Sequence, residues 1–379
     1  MEERVTLKKV ITVVKLSLFV TWFWPLPQSA SKRKLLCMQL YQCVSLLLTA
    51  AVIASMVYAV VQNLDDLDLV IKSALGVFPC SHVIWNILCH LAIYQRIQRV
   101  TYKMENFRAF LKPCERAIVQ REYVNKYAQF YGFCIGMFYM SLFGMFVGPV
   151  VLDQPLPAPA EFPFDASRQP LRVITYTHQI IVGLFIASQL SVNAFMALLL
   201  WLASARFKLL IEDLRSVTKF RDFVKCVEKH QQLLEYAGEV ALTVRIFALG
   251  TIFFSTVTLL VFGLIFVTRA SPALKIECVF LAISALLEVF MYAWPAEHLI
   301  HISSDVGQAA FETDWYNDCS ETFRKTLQMI ILRSQKPILV VLPCGLPSLS
   351  LRYYASYLST IFSYFTTMRM MFEEQNNES

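Results

Sequence analysis

Read for runs free of Asp, Glu, Lys and Arg, the chain divides into long apolar stretches separated by shorter polar ones. Leu35 to Leu64, Ser73 to Gln95, Tyr127 to Leu152, Val173 to Ala205 and Ile246 to Thr268 are such runs, and each exceeds the roughly 20 residues a helix needs to cross hydrocarbon. Cys278 to Ala296 is interrupted only by Glu288, and Leu351 to Met371 carries Arg352 and Arg369 near its ends. The pattern predicts an all-α integral membrane protein with seven transmembrane helices. Val10 to Trp24 is apolar too, but Lys15 interrupts it, Glu2 and Glu3 precede it, and no A-x-A site follows. An uncleaved interfacial helix is expected there rather than a signal peptide.

The basic residues orient this array, since cationic loops stay on the cytoplasmic side. Of 34 Lys and Arg, seven precede the first span, eight lie between Arg96 and Lys126, seven between Arg206 and Lys229, and four between Arg324 and Lys336; these alternate segments hold 26. The opposite set holds six, Lys72, Arg168, Arg172, Arg269, Lys275 and Arg369, together with Asp65, Asp66, Asp68, Asp153, Glu161, Asp165, Glu373, Glu374 and Glu378. The amino terminus is therefore expected in the cytoplasm and the carboxyl terminus outside. That is the reverse of the G-protein-coupled receptors, whose Asp-Arg-Tyr and Asn-Pro-x-x-Tyr landmarks are also missing.

Composition agrees. Hydrophobic residues make up 56% of the 379 and charged residues 16%, whereas soluble domains hold about 45–50% apolar residues. The net charge of +6 sits beside apolar runs rather than in one stripe, so no nucleic acid partner is expected. The ten cysteines are scattered without a CxxC pair, which suggests neither a disulfide framework nor a zinc site.

Between spans four and five, Arg206 to Val240 mixes both charges at helical spacing, so these spans should continue as helices beyond the membrane, as should Tyr94 to Tyr127. The loop from Asp153 to Pro170 holds Pro155, Pro157, Pro159, Pro163 and Pro170, a stiff segment that is either a plain connector or a lid on the outer face. Gly132, Gly136, Gly144 and Gly148 fall on one face of the third span, for close helix packing or for ligand space. Glu288, a carboxylate midway along a span, should be either protonated or paired, with Arg245 the cation expected nearest to it. His298, His301 and Asp305 stand at helical spacing, but no Cys or Glu completes a metal site, and a polar helix end is the plainer reading. The chain has no HExxH, GxSxG, GxxxxGK[ST] or Rossmann glycine pattern. No enzyme, cofactor or metal is expected.

The last 75 residues carry a more specific signal. Ala309-Ala-Phe-Glu-Thr-Asp-Trp-Tyr316, Arg324-Lys-Thr-Leu-Gln-Met-Ile-Ile-Leu-Arg-Ser-Gln-Lys-Pro337, Leu349-Ser-Leu351 and Tyr357-Leu-Ser-Thr-Ile-Phe-Ser-Tyr-Phe365 stand in the order and spacing of the insect odorant receptor family, which the chain resembles. Gustatory receptors share the architecture, yet they typically close on a Thr-Tyr-x-x-x-Gln-Phe-like motif not found here. The resemblance implies the odorant-binding subunit of a ligand-gated, nonselective cation channel. Its partners would be an obligate co-receptor, in a heterotetramer, and a small hydrophobic odorant, in the lipid of the plasma membrane. The competing class is a seven-helix chemoreceptor without its own pore.

On that resemblance the chain divides into a cytoplasmic segment with an interfacial helix (1–34), six spans with long cytoplasmic extensions (35–304), an anchor helix region (305–344), and a pore-lining seventh helix with a short outer tail (345–379). Ligand contacts are expected from Phe78, His82, Met140, Ser141, Gly144, Leu184, Ser188, Phe280 and Ser284. Subunit anchoring falls to Trp315, Tyr316, Arg333, Ser334, Gln335 and Lys336, unless they merely cap an ordinary helix. The gate falls to Thr367 and Met371, unless one turn of misregister turns them to lipid, and Arg369 should point away from the pore. The basic asymmetry makes the first prediction. An epitope tag after Ser379 should stain on intact cells and a tag before Met1 only after permeabilisation; the reverse pattern would overturn the orientation.

Overall fold

The computed structural model describes residues 6–151, 156–166, 168–267, 271–313, 315 and 320–378. Eleven α-helices are found among them, with no strand beyond one isolated bridge between Val341 and Ser348. The first, α1 (Leu7–Ser17), begins where the Thr6 hydroxyl accepts from Lys9 N, and buries Leu7, Val10, Ile11 and Val14 while Val13 and Leu16 stay exposed. It is amphipathic and lies against the bundle, as an interfacial helix should.

Then come α2 (Lys32–Gln62), α3 (Leu67–Ala92), α4 (Tyr94–Phe110), α5 (Pro113–Val119), a π-turn (Gln120–Val124) that runs directly into α6 (Asn125–Val151), α7 (Leu171–Arg215), α8 (Phe220–Val267) and α9 (Pro272–Phe311). A short α10 (Glu321–Ser334) precedes α11 (Leu351–Glu378). Six of these stretches are long and apolar enough to cross a membrane: α2, α3, α5–α6, α7, α8 and α9. At 28 residues and about 1.5 Å per residue, α11 is long enough as well, but too polar to read as a span by hydropathy.

The 45 residues of α7 and 48 of α8 carry spans four and five well past the bilayer, as their charge spacing predicted. The central post is α7, with 72% of its most apolar window buried. It is ringed by α1, α2, α3, α6, α8 and α9, and Val192 to Ala205 is buried without a break. Tyrosines of α6 lock onto its neighbours' backbones: Tyr127 donates to Ala194 O at 2.8 Å and Tyr131 to Met291 O at 2.8 Å.

At the other end from α10, residues 156–166 fold across the ends of α2, α3 and α7. Ser73 donates to Pro159 O at 2.8 Å, Ala158 N to Gln179 Oε1 at 2.9 Å, and Glu161 N to Ser55 O at 3.2 Å. The proline segment therefore covers these helix ends; Pro155 lies outside the described residues. At the opposite end, Glu297 of α9 joins α10's side of the bundle to α11, its carboxylate accepting from Leu351 N at 3.0 Å and pairing with His301 at 2.8 Å. His298 turns instead to the Tyr123 hydroxyl at 3.3 Å, so the two histidines do not share a partner.

One close approach is set by a missing side chain. Trp85 of α3 packs so tightly on Gly250 of α8 that a Cβ there would collide with the indole. Gly250→Val is expected to cost about 1–3 kcal/mol, read as a lower melting temperature in detergent, with partial recovery in Trp85→Leu/Gly250→Val. An unchanged melting temperature in Gly250→Val would show that α3 and α8 do not need this contact.

Candidate functional site

Within the apolar bundle, α3 carries His82, Asn86 and His90 at four-residue steps, all three buried. Each meets a polar side chain from another helix. The first rung is the largest. Glu288 of α9 accepts from Asn193 Nδ2 of α7 at 3.2 Å, and His82 Nδ1 lies 3.9 Å from the same carboxylate oxygen. Asn193 Oδ1 in turn accepts from the Tyr292 hydroxyl at 2.9 Å and the Thr251 hydroxyl at 3.3 Å, and Thr251 reaches His82 Nε2 at 3.4 Å. Helices α8 and α9 thus converge on one amide of α7, and α3 joins the cluster through His82. On the second rung Asn86 donates to Gln189. On the third, His90 Nδ1 meets Gln42 of α2 at 3.0 and 3.1 Å to its amide atoms, while Gln42 also donates to Trp22 O at 3.3 Å.

The partner expected for Glu288 is corrected by this geometry. Arg245 is not in contact with it, and the Nε of Arg245 is buried without a hydrogen-bond partner. Both Glu288 and Arg245 face inward, but Arg245 lies six residues before Thr251, about 9 Å further along α8. The carboxylate is satisfied by amide, hydroxyl and imidazole groups at its own level.

The expected ligand residues separate into two groups. His82 and Ser188 are interior, Ser188 sharing a 2.8 Å hydrogen bond with Thr21. Phe78 packs with Leu75, Ile265, Leu274 and Cys278, while Leu184 and Ser284 are half-buried. Met140, Ser141, Gly144 and Phe280 instead lie on the outside of the single chain, Met140 at 65% and Phe280 at 64% exposure. A Cβ on Gly132, Gly136 or Gly144 would meet nothing within 4 Å, so this glycine face neither packs on another helix of the chain nor borders its interior. The inward face of α6 is the aromatic and aliphatic one: Tyr131, Cys134, Ile135, Phe138 and Leu142. The close approach that the glycines of α6 suggested belongs to Gly183 of α7, where a Cβ would lie 2.8 Å from Leu142 Cδ1.

In the region expected to anchor subunits, Ser334 is buried and donates to Ile330 O at 2.8 Å, Arg333 donates to Lys336 O at 2.8 Å, and Gln335 and Lys336 are exposed. Trp315 donates to Phe311 O at 3.2 Å; Tyr316 lies outside the described residues. Met329, Leu332, Leu339 and Val341 are exposed around them, an apolar surface that this chain leaves uncovered.

The last helix has two faces. Tyr354, Tyr357, Ile361, Phe365 and Met368 line one side: Tyr354 donates to Leu286 O of α9 at 3.3 Å, Tyr357 meets Thr256 of α8 at 3.4 Å, and Phe365 packs on Phe266 with centroids 5.8 Å apart. Taken at 100° per residue, Ser356, Thr360, Ser363 and Thr367 fall within about 60° of one another on another side, all exposed. Thr360 and Thr367 each turn their hydroxyl to the carbonyl four residues earlier, at 2.9 Å. Met371 extends this stripe and is 63% exposed. Arg369 sits about 160° around the helix from Thr367, so if the stripe faces a pore, the arginine does not.

The polar rungs generate a stability prediction. Asn193→Leu strips partners from Glu288, Tyr292 and Thr251 together and is expected to cost about 2–3 kcal/mol or more. Glu288→Gln keeps an acceptor for Asn193 and should cost much less. Thermal denaturation of both variants in detergent checks the order; equal losses would mean that Asn193 is not the centre of the network.

Comparison with known proteins follows the same helices. The 7tm Odorant receptor family model matches residues 70–362. Odorant receptor 67c of Drosophila melanogaster is 34% identical over 94 residues, 25% of this chain and 22% of that protein. Odorant receptor 13a of the same species is 22% identical over 260 residues, 62% of each. The chain thus matches only about a fifth of the length of the first of these relatives. The insect olfactory receptor OR5 from Machilis hrabei superposes with a TM-score of 0.79 at 15% identity, over 96% of this chain and 98% of that one. The same receptor in complex with eugenol superposes with a TM-score of 0.77 at 14% identity. At such identity the likeness establishes a shared fold.

Proposed function

We propose that this chain, which belongs to the 7tm odorant receptor family, is the odorant-binding subunit of a ligand-gated, nonselective cation channel assembled with an obligate co-receptor. Membership makes it a multi-pass membrane receptor rather than an enzyme. The observation that carries the channel reading is the stripe of Ser356, Thr360, Ser363 and Thr367 on α11. An exposed polar face on a membrane helix is costly against lipid, and it is relieved if four subunits turn these faces toward a shared water-filled axis. Rings of small hydroxyls suit hydrated cations, and Met371 at the end of the stripe provides an apolar ring able to close by excluding water.

The ligand belongs in the half of the bundle between the covering proline segment and the first polar rung, among α3, α6, α7 and α9. The side chains that reach this space are mainly apolar: Phe78, Phe138, Leu142 and Leu184, with Ser284 beside them. Such a lining takes small volatile or lipid-like molecules by shape and desolvation, and the His82–Glu288 rung gives it a polar floor. The eugenol complex of the Machilis receptor supports a compact, weakly polar ligand. The uncovered apolar surface around α10 supports assembly through the amino-terminal side of the membrane, the cytoplasmic side under the orientation expected from the basic loops.

Thr367→Cys and Met371→Cys, expressed separately with the wild-type co-receptor, should each change ligand-evoked current when a charged thiol reagent is applied from outside. Arg369→Cys should not. Ligand-evoked current that is insensitive at both positions but sensitive at Arg369→Cys would rotate the pore face, and absence of current in any ligand panel would favour a receptor without its own pore.

A further inference from the structure

Where α3 ends, the chain leaves a cleft of about 560 Å³ that plays no part in the ligand pocket, the pore or the anchor. Its walls are the extended segment before α2, the first turns of α2, and the break at Ile93 between α3 and α4. They are pinned: Leu26 N donates to the Tyr94 hydroxyl at 3.1 Å, and Gln98 Nε2 donates to Leu26 O at 2.8 Å.

Its lining is rich in unspent donors. The side chains of Gln28, Gln39, Gln95 and Arg96 border it and make no hydrogen bond to other described residues. Arg99, also at the wall, is held by Glu239 at 3.2 Å, whereas Arg96 has no acidic partner among the described residues. No carboxylate among the described residues lines the cleft. Lys32, Arg33 and Lys34 stand exposed on the first turn of α2, between the lining residues Ala30 and Leu35. The site is electropositive, half-enclosed and supplied with uncommitted amides.

Its height in the membrane follows from α2. Immediately beyond the three cations, Leu36, Leu40, Val44 and Leu47 are exposed along the outside of the helix, the pattern of a surface in hydrocarbon. Trp22 and Tyr41, whose rings meet at 5.9 Å, stand at the boundary, where amphipathic aromatics collect. The mouth of the cleft therefore opens at the level of the lipid headgroups.

We propose that this cleft binds the phosphorylated headgroup of an anionic phospholipid from the leaflet on the amino-terminal side. Arg96 is the direct partner of the phosphate, Gln39 and Gln95 bond its hydroxyl or ester oxygens, and Lys32 to Lys34 supply the surrounding field. The acyl chains lie along Leu36 and Leu40. Basic pockets between membrane helices recognise such headgroups in this way, and planar Arg suits phosphate geometry. A lipid rather than a free phosphate is indicated by the apolar wall that continues from the cleft along α2. Under the orientation proposed above this leaflet is the cytoplasmic one; the site itself does not depend on that assignment.

The test uses the full chain, purified with its partner subunit and placed in phosphatidylcholine nanodiscs containing a small fraction of fluorescent phosphatidylinositol bisphosphate. Lipid bound to the protein is measured by energy transfer from its tryptophans. Removal of one cation is expected to weaken binding about fivefold, so Arg96→Gln should show that loss, Lys32→Gln/Lys34→Gln about the square of it, roughly 25-fold, and Arg96→Lys most of the wild-type affinity. Circular dichroism of Arg96→Gln should match the wild type, since the side chain is only half-buried. Unchanged binding in Arg96→Gln overturns the proposal. Displacement of the lipid by soluble inositol phosphate at equal concentration also overturns it, by making the site one for a free anion. Both faces of a nanodisc carry the lipid and no current is recorded, so failure of the channel reading or of the orientation leaves this result standing.

Discussion

Inside a bilayer a polar side chain has no water to turn to, and an unpartnered one costs several kcal/mol. The helix α7 nonetheless takes Ser188, Gln189, Ser191 and Asn193 through the middle of the bundle, all buried. Apolar packing alone would allow neighbouring helices to slide or rotate with small losses. A buried amide allows neither, because its donors and acceptors have fixed directions. Asn193 must sit opposite Glu288 and Tyr292 of α9 and Thr251 of α8 at once, which fixes three helices in height and rotation. Gln189 then meets Asn86 four residues away on α3, and His90 meets Gln42 of α2. The register of five helices is thus tied to one ladder of polar side chains, carried by α3 and, at its first two rungs, by α7.

The same ladder explains which parts of the structure were legible in the sequence. Span positions follow from charge-free runs, and α2, α3, α6, α7, α8, α9 and α11 lie where these runs placed them. The helical extensions of α7 and α8 follow from charge spacing. The interior of the bundle was less legible. Gly144 and its fellow glycines suggested a close approach, yet α6 turns its tyrosines and Phe138 inward because tyrosine can satisfy its hydroxyl on neighbouring carbonyls, and the glycine face is left outside. In a span buried on all sides, as α7 is, hydropathy has no period to betray a face. The signal available was subtler: polar residues four apart in otherwise apolar spans, Asn86 with His90 and Gln189 with Asn193. Glu288 drew attention through its charge, but a charge draws the eye to other charges. Its partner was an amide.

The last helix obeys a different rule. Its side-chain hydrogen bonds to α8 and α9 come from Tyr354 and Tyr357 on one side, and its polar stripe has no partner on another helix among the described residues. Under the channel assembly proposed above, a stripe of this kind serves the contact between subunits rather than the subunit alone. The uncovered apolar surface at Met329, Leu332, Leu339 and Val341 does the same near α10. These two surfaces lie at opposite ends of the connection between α10 and α11, which is held to α9 by Glu297 and by Ser303, whose hydroxyl accepts from Ile338 N at 3.1 Å.

On the function proposed above, this arrangement constrains how an event in the ligand half of the bundle reaches the stripe. No side chain of the polar rungs is bonded to α11 itself. The contacts of α11 are to Thr256 and Phe266 on α8 and to Leu286 on α9, and those helices also carry Thr251, Glu288 and Tyr292. Thr256 stands little more than one turn from Thr251, and Leu286 two residues from Glu288. A ligand that separates or tightens the first rung therefore acts on α11 only by moving α8 or α9. Movement of α9 is opposed by the hydrogen bonds of Asn193 with Glu288 at 3.2 Å and with Tyr292 at 2.9 Å, which hold it to the rigid post of α7. On the channel reading proposed above, the bonds that fix the register of the bundle are thus also those a gating movement of α9 has to stretch or exchange, and occupation of the space above them is the simplest way to change their cost.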